Sequence, residues 1–155
     1  MTEKTRARVT MFIEAAPDKV YLAFVEPEKI TKFWLRKASA PLQLGKTVHW
    51  NFLVDGAECD TTATVMDEDR SLAWDWSDGT KVSIDFETVD GGTAVTLVND
   101  QLPGAGNELV EAALNATEGF AIVLSDLKTW LESGKSAGIS KAKAKLISLR
   151  GGAPD

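Results

Sequence analysis

The alternation of apolar and polar residues changes its period twice along the chain. In the segment 7–13, apolar residues alternate with arginine and threonine, which predicts a half-buried β-strand. Two segments then begin with a proline, at Pro17 and Pro27, and proline suits the first turn of a helix because its missing N–H is not needed there. The pattern predicts two short helices, over residues 17–25 and 27–34.

From residue 37 to about residue 102 the period is two, which is typical of strands with one buried face. Glycine- and aspartate-rich turn sequences separate the segments, so we expect a meander of about six antiparallel strands. Large aromatic side chains recur on the faces predicted to be apolar. They are Trp50, Phe52, Trp74, Trp76 and Phe86.

A helical period returns over residues 108–133, where one apolar stripe includes Phe120, Val123 and Leu127, and Gly134 is a natural stop. A sheet with one apolar face and a helix with one apolar stripe bury each other. We therefore predict an α+β helix-grip fold. In it, a curved antiparallel sheet of about six to seven strands wraps around a long C-terminal helix, and two short helices follow the first strand.

Length and charge narrow the function classes. The 155 residues suggest one domain, over residues 1–134, with a basic tail over residues 135–155. The tail has five basic residues and one acidic residue, a balance of +4. Because the net charge of the whole chain is −6, the rest of the chain carries a net charge of −10. An acidic body argues against nucleic acid as a partner. The polar N-terminus and the lack of a long apolar run favour a cytoplasmic protein that has no membrane partner.

The tail permits two interpretations. Its apolar residues Ile139, Leu146, Ile147 and Leu149 would suit a short helix, and the simpler interpretation is a loosely docked or disordered end. The alternative is a basic arm for an acidic partner or a neighbouring subunit. Because the core stripe ends at Leu131, we expect the domain to fold without the tail.

The order of elements resembles the START-like, Bet v-type (SRPBCC) superfamily, over about residues 6–134. Within it, the chain is most similar to the branch named for the activator of the heat-shock protein 90 ATPase. No single motif is diagnostic, so the order carries the resemblance. The matching residues are Pro17 and Val20, Pro27-Glu28 with Trp34, Trp74 and Trp76, and Gly119-Phe120 with Leu124, Leu127 and Leu131.

The resemblance implies a cavity between the sheet and the long helix, but a fold alone does not fix a function. We predict a protein that binds a small hydrophobic or amphipathic molecule. A co-chaperone that activates an ATPase, and an enzyme like the polyketide cyclases or aromatases, are the two alternatives. We also allow two macromolecular partners: a chaperone and a second copy of this chain.

The predicted cavity residues come from the aromatic strand faces and the helix opposite them. Either these rings fill the core or they line a pocket; Gly119, on the edge of the helix stripe, leaves room for a pocket or permits close packing. Trp34 either gates the cavity or wedges the short helices against the sheet. The full predicted set is Trp34, Trp50, Phe52, Trp74, Trp76, Phe86, Asn99, Gly119, Phe120 and Val123.

Residues suited to catalysis are few. The single histidine, His49, alternates with Val48 and Trp50 and so is predicted to face away from the cavity. The single cysteine, Cys59, has no basic neighbour in sequence and is predicted to be inert. We expect no metal, no cofactor and no covalent nucleophile. The sequence favours a protein that is not an enzyme and leaves catalysis open.

Overall fold

Seven antiparallel strands form one sheet in the computed structural model, which describes residues 5–151. The strand order is β1-β7-β6-β5-β4-β3-β2, so only β1 and β7 are neighbours without being consecutive. The strands are β1 (Ala7–Ile13), β2 (Leu35–Ala38), β3 (Thr47–Phe52), β4 (Glu58–Asp67), β5 (Ser71–Trp76), β6 (Lys81–Val89) and β7 (Gly92–Asp100).

Four helices accompany the sheet: α1 (Pro17–Val25), α2 (Pro27–Ile30), α3 (Asn107–Ser133) and α4 (Ile139–Leu149). Pro17 and Pro27 open α1 and α2, as predicted from the sequence. Helix α2 ends at Ile30, four residues earlier than predicted, and Trp34 follows in a turn. None of α1–α4 is long and apolar enough to cross a membrane.

The sheet buries one face against the helices. Along β5 and β6 the paired residues Leu72 and Ile84, and Trp74 and Val82, are at most 1% exposed, while their neighbours along each strand are more accessible. Helix α3 runs across this face and buries Phe120, Val123, Leu124 and Leu127 in the same core. The predicted α+β helix-grip fold is confirmed.

The tail forms a docked helix rather than a loose end. The carboxylate of Asp126 on α3 is 1% exposed and accepts hydrogen bonds from the Ser140 backbone N–H (3.0 Å) and from the Ser136 hydroxyl. The Ser140 hydroxyl donates to the backbone carbonyl of Phe33 at 2.6 Å. The short helix that the apolar residues of the tail suggested is therefore present, and the polar contacts that dock it were not predicted from the hydrophobic pattern.

Candidate functional site: a cleft between the sheet and helices α3 and α4

Trp34 is the centre of the aromatic core. Its ring centroid lies 5.4 Å from that of Trp50, 5.8 Å from Phe120 and 6.1 Å from Trp74, with edge-on or tilted geometry. Such arrangements are favourable for aromatic pairs beyond the apolar area that they bury. Trp34 is 8% exposed, and the part of its ring that is not covered lines the cleft described below.

Trp50 and Trp74 fill the core. They are 1% and 0% exposed, and their rings meet edge-on at 5.1 Å. The indole N–H of Trp74 is buried and has no hydrogen-bond partner within residues 5–151. Neither ring lines the cleft, so the structure places these two predicted cavity residues in packed space.

Trp76 lies at the border between the core and the surface. Its ring stacks nearly parallel on Phe120, with centroids 6.1 Å apart and planes at 14°. Its indole N–H donates to the Thr61 hydroxyl at 3.0 Å. The stack fixes both rings at the edge of the core, and neither is among the cleft-lining residues.

Phe86 and Asn99 lie elsewhere in the fold. The Phe86 ring packs under α1, 5.8 Å from Tyr21 and 6.3 Å from Phe24. Asn99, 4% exposed, donates its side-chain amide to the Lys81 carbonyl at 2.9 Å across the β6–β7 pair. Asn99 therefore satisfies a backbone group of the sheet, and neither residue lines the cleft.

A cleft of about 130 Å³ opens between the end of β3, α3 and α4. Four of the residues predicted from the sequence line it: Trp34, Phe52, Gly119 and Val123. The other seven, four of which come from the tail, were not predicted from the sequence. They are Leu53, Val54, Ile122, Ser140, Lys143, Ala144 and Ile147.

Gly119 keeps the cleft open on the α3 side. A Cβ atom built on Gly119 would meet no heavy atom of a neighbouring residue within 4 Å. Close packing of the helix on the sheet therefore does not explain this glycine. Glycine in a helix interior is less favourable than alanine by about 1 kcal/mol. Glycine at position 119 therefore makes the helix less stable by about that amount and leaves space over the rings of Trp34 and Phe52.

Lys143 is the one charged residue among the described residues that line the cleft. It projects from α4, and its ammonium lies 2.8 Å from a carboxylate oxygen of Glu118 on α3. The Lys143 side chain is 26% exposed and that of Glu118 is 58% exposed. The cleft is thus an apolar space with a single cation on its wall.

His49 on β3 lies on the outer face of the sheet, whereas Cys59 on the neighbouring strand β4 is paired with Trp50 and so lies on the same face as Trp50. The Nδ1 atom of His49 is 2.8 Å from Asp60 and its Nε2 atom is 3.3 Å from Glu58; the hydrogen bond to Asp60 is the main cause of a raised pKa of His49. The Cys59 thiol contacts the Ser77 hydroxyl at 3.2 Å. Within residues 5–151, no three His, Cys, Asp or Glu side chains are grouped as metal ligands.

Comparison with known proteins identifies the family. The model of the family described as Activator of Hsp90 ATPase homolog 1-like protein matches residues 14–132, well over half of the chain. The match confirms the resemblance given by the order of elements. Among curated proteins, none matches the sequence.

Solved structures share the fold. SSP2350 from Staphylococcus saprophyticus is 28% identical (TM-score 0.76), with 85% of this chain and 95% of that chain covered. The Aha1 dimer from Colwellia psychrerythraea is 23% identical (TM-score 0.74; 85% and 99% covered). CalU16 from Micromonospora echinospora is 17% identical (TM-score 0.64), with 96% of each chain covered.

Proposed function

We propose that this chain, which belongs to the Activator of Hsp90 ATPase homolog 1-like family, binds a small hydrophobic or amphipathic molecule. The binding site is the cleft between the sheet and helices α3 and α4. The observation that carries the proposal is the open space over Gly119, which faces an aromatic floor of Trp34 and Phe52. Binding sites for small molecules are concave and mostly apolar, with a few polar groups that orient the ligand.

The size of the cleft limits the ligand. Its volume of about 130 Å³ is close to that of an apolar cavity that accepts benzene, roughly 150 Å³. One aromatic ring or a short alkyl chain therefore fits, whereas a sterol does not fit without movement of α4. Most of the lining residues are apolar, so the burial of the ligand's apolar surface supplies the affinity.

The test uses 4-phenylbutan-1-ol, a neutral probe with one ring. Trp34 lines the cleft, so binding should change the tryptophan fluorescence in a saturable way. At a probe concentration ten times the Kd, it should raise the free energy of unfolding by about 1.4 kcal/mol. Gly119→Leu fills the open space and should abolish both effects. Glu111→Leu places the same side chain on an exposed position of α3 and should leave them intact.

A folded Gly119→Leu variant that binds the probe as well as the wild type does would contradict the proposal. A wild-type protein that gives no saturable response to the probe would contradict it too. Thermal unfolding and circular dichroism of both variants establish that each is folded.

Less evidence supports the two alternative functions, a cyclase-like enzyme and an ATPase activator. The cleft lining has no carboxylate, imidazole or thiol among the described residues, so it offers no acid–base pair for a cyclase. An ATPase-activator role is supported by the family name. It predicts that the protein raises the ATP hydrolysis rate of a heat-shock protein 90 chaperone. Self-association is supported by one structural relative that is a dimer, and sedimentation of the pure protein tests it.

A further inference from the structure

We infer that the cleft selects an amphipathic carboxylate. The carboxylate of the ligand takes the place of Glu118 on Lys143, and its ring or short chain lies over Trp34 and Phe52. The inference deepens the proposed function and rests on it, because it names the ligand class of the same cleft.

The single charge on the wall of the cleft favours an anionic ligand. Lys143 lines an otherwise uncharged cleft and is 26% exposed, so a ligand that covers it removes water from its ammonium group. A covered cation without a hydrogen-bonded anion is costly. A neutral ligand leaves that cost uncompensated unless Glu118 stays in place, whereas a carboxylate at the rim compensates it directly.

Glu118 is easily replaced by another anion. Its side chain is 58% exposed, and it has no hydrogen bond besides the one from Lys143 in the part of the chain that the structure describes. Exposed ion pairs contribute little to stability because water and salt screen them. A ligand carboxylate can therefore displace Glu118 into solvent at small cost, and Lys143 keeps a partner throughout.

The volume and the charge of the cleft exclude two other anions. A long-chain fatty acid exceeds the volume of the cleft, which has room for one ring or a short chain. A phosphate monoester carries about two negative charges, and the single cation at this site is already next to the carboxylate of Glu118. A monoanion with a small apolar body matches both the volume and the charge.

The experiment compares 4-phenylbutyrate with 4-phenylbutan-1-ol, which differ in the charged group. For ligands of this size, we expect Kd values from millimolar to high micromolar. The wild type should bind the carboxylate several-fold more tightly than the alcohol, and raising the salt concentration should weaken the binding of the carboxylate alone. Lys143→Met keeps the length of the side chain without the charge. It should weaken carboxylate binding about tenfold, and alcohol binding should not weaken, because the neutral ligand no longer covers a cation.

Two further variants complete the test. Glu118→Gln removes the competing carboxylate and should tighten 4-phenylbutyrate binding about threefold, an effect that a purely structural role of the ion pair would not produce. Lys143→Arg should keep the preference for the carboxylate. Lys141→Met removes a neighbouring exposed lysine of α4 and serves as the matched control, with no expected change.

The outcomes separate the two hypotheses. If the alcohol binds and Lys143→Met binds the two probes as the wild type does, the carboxylate inference is overturned and the binding function stands. If neither probe binds the folded wild type, the binding function fails and the carboxylate inference fails with it.

Discussion

Two ends of the same buried sheet face are built differently. At one end, Trp50 and Trp74 interlock with no accessible space between them and α3. At the other end, Phe52 lies two residues from Trp50 on the same face of β3, yet it lines an open cleft. The alternation along the strand is the same at both ends, so the helices that cover the sheet determine whether its face is filled or open. Where α3 presents Phe120 the face is filled, and where it presents Gly119 it is open.

The comparison shows that an aromatic strand face does not by itself indicate a pocket. Packing density in a protein interior approaches that of organic crystals, so large rings facing bulky helix residues leave no room. The space arises where one small helix residue coincides with a second helix, α4, which forms the far wall. The cleft is therefore formed jointly by β3, α3 and α4, and not by the strand alone.

Alanine substitutions on β3 test this contrast most strongly. Trp50→Ala should lower the free energy of unfolding by about 3–5 kcal/mol, because a fully buried large ring leaves a cavity. Phe52→Ala, at the cleft, should cost about half as much, because part of its ring already faces open space. Urea denaturation followed by circular dichroism measures both. Equal losses would mean that the cleft end is packed as tightly as the core.

Removal of residues 135–155 tests whether the open end depends on α4. We expect the remaining chain to fold, with a free energy of unfolding lower by about 1–3 kcal/mol, because the buried carboxylate of Asp126 loses its two partners on the tail. The shortened chain should not bind 4-phenylbutan-1-ol. Asp126→Asn should be costly in the full chain and nearly neutral in the shortened one. If the truncated chain is as stable as the full chain, α4 contributes nothing to the fold.

Two lysine–glutamate pairs of α3 allow the cleft to be compared with the part of the helix that contacts the end of β1. Near the C-terminal end of α3, Glu132 accepts hydrogen bonds from the Glu14 backbone N–H (2.7 Å) and from Lys128 (2.6 Å), and these lower the pKa of Glu132. Glu132→Gln should cost about 1–2 kcal/mol at pH 7. Glu118→Gln, at the open end, should change stability by less than about 0.5 kcal/mol.

The pH dependence has a definite sign. Because the folded-state pKa of Glu132 lies below its ordinary value of 4.5, its contribution is complete above that value and is lost as the pH falls through the folded pKa. The difference in melting temperature between the wild type and Glu132→Gln should therefore shrink toward zero between about pH 5 and pH 2. A difference that persists at low pH would point to lost packing rather than lost charge.

A small effect of the opposite sign is expected at Gly119 itself. Gly119→Ala should raise the free energy of unfolding by about 0.5–1 kcal/mol, since the new methyl group meets nothing and the helix gains propensity. Gly92→Ala is the matched control with the opposite sign, because its Cβ would lie 2.6 Å from the Ile13 carbonyl oxygen. Thermal melts of the two variants measure both. A destabilised Gly119→Ala would show that the apparent space is filled.

The sequence predicted the strands and the face that they bury, because alternation along a strand is strict: Trp50, Trp74 and Phe86 are all buried. It could not predict which part of that face lies under which helix. Phe86 therefore packs beneath α1, and Asn99 bonds to a sheet carbonyl, although both were grouped with the cavity.

The docking of the tail was the larger omission. Residues 139–149 have three lysines among their apolar residues, and their pattern suggested a short helix without showing what it packs against. A clue lies in α3, where Asp126 follows Val123 by three residues and so shares its buried face. A carboxylate on that face needs donors, and the loop and helix after Gly134 supply them. The need of Asp126 for donors is therefore the sequence signal for a docked tail.

The Lys128–Glu132 pair also limits how the protein can assemble. Lys128 bonds to the Phe12 carbonyl and Glu132 to the Glu14 N–H, so the backbone groups at the end of edge strand β1 are already occupied. At the opposite edge, β2 has only four residues and its register shifts between Leu35 and Lys37. Short, irregular or occupied edges discourage the addition of a foreign strand. A second copy or a partner protein would therefore approach the sheet's outer face or the helices, and growth by edge-to-edge strand pairing is disfavoured.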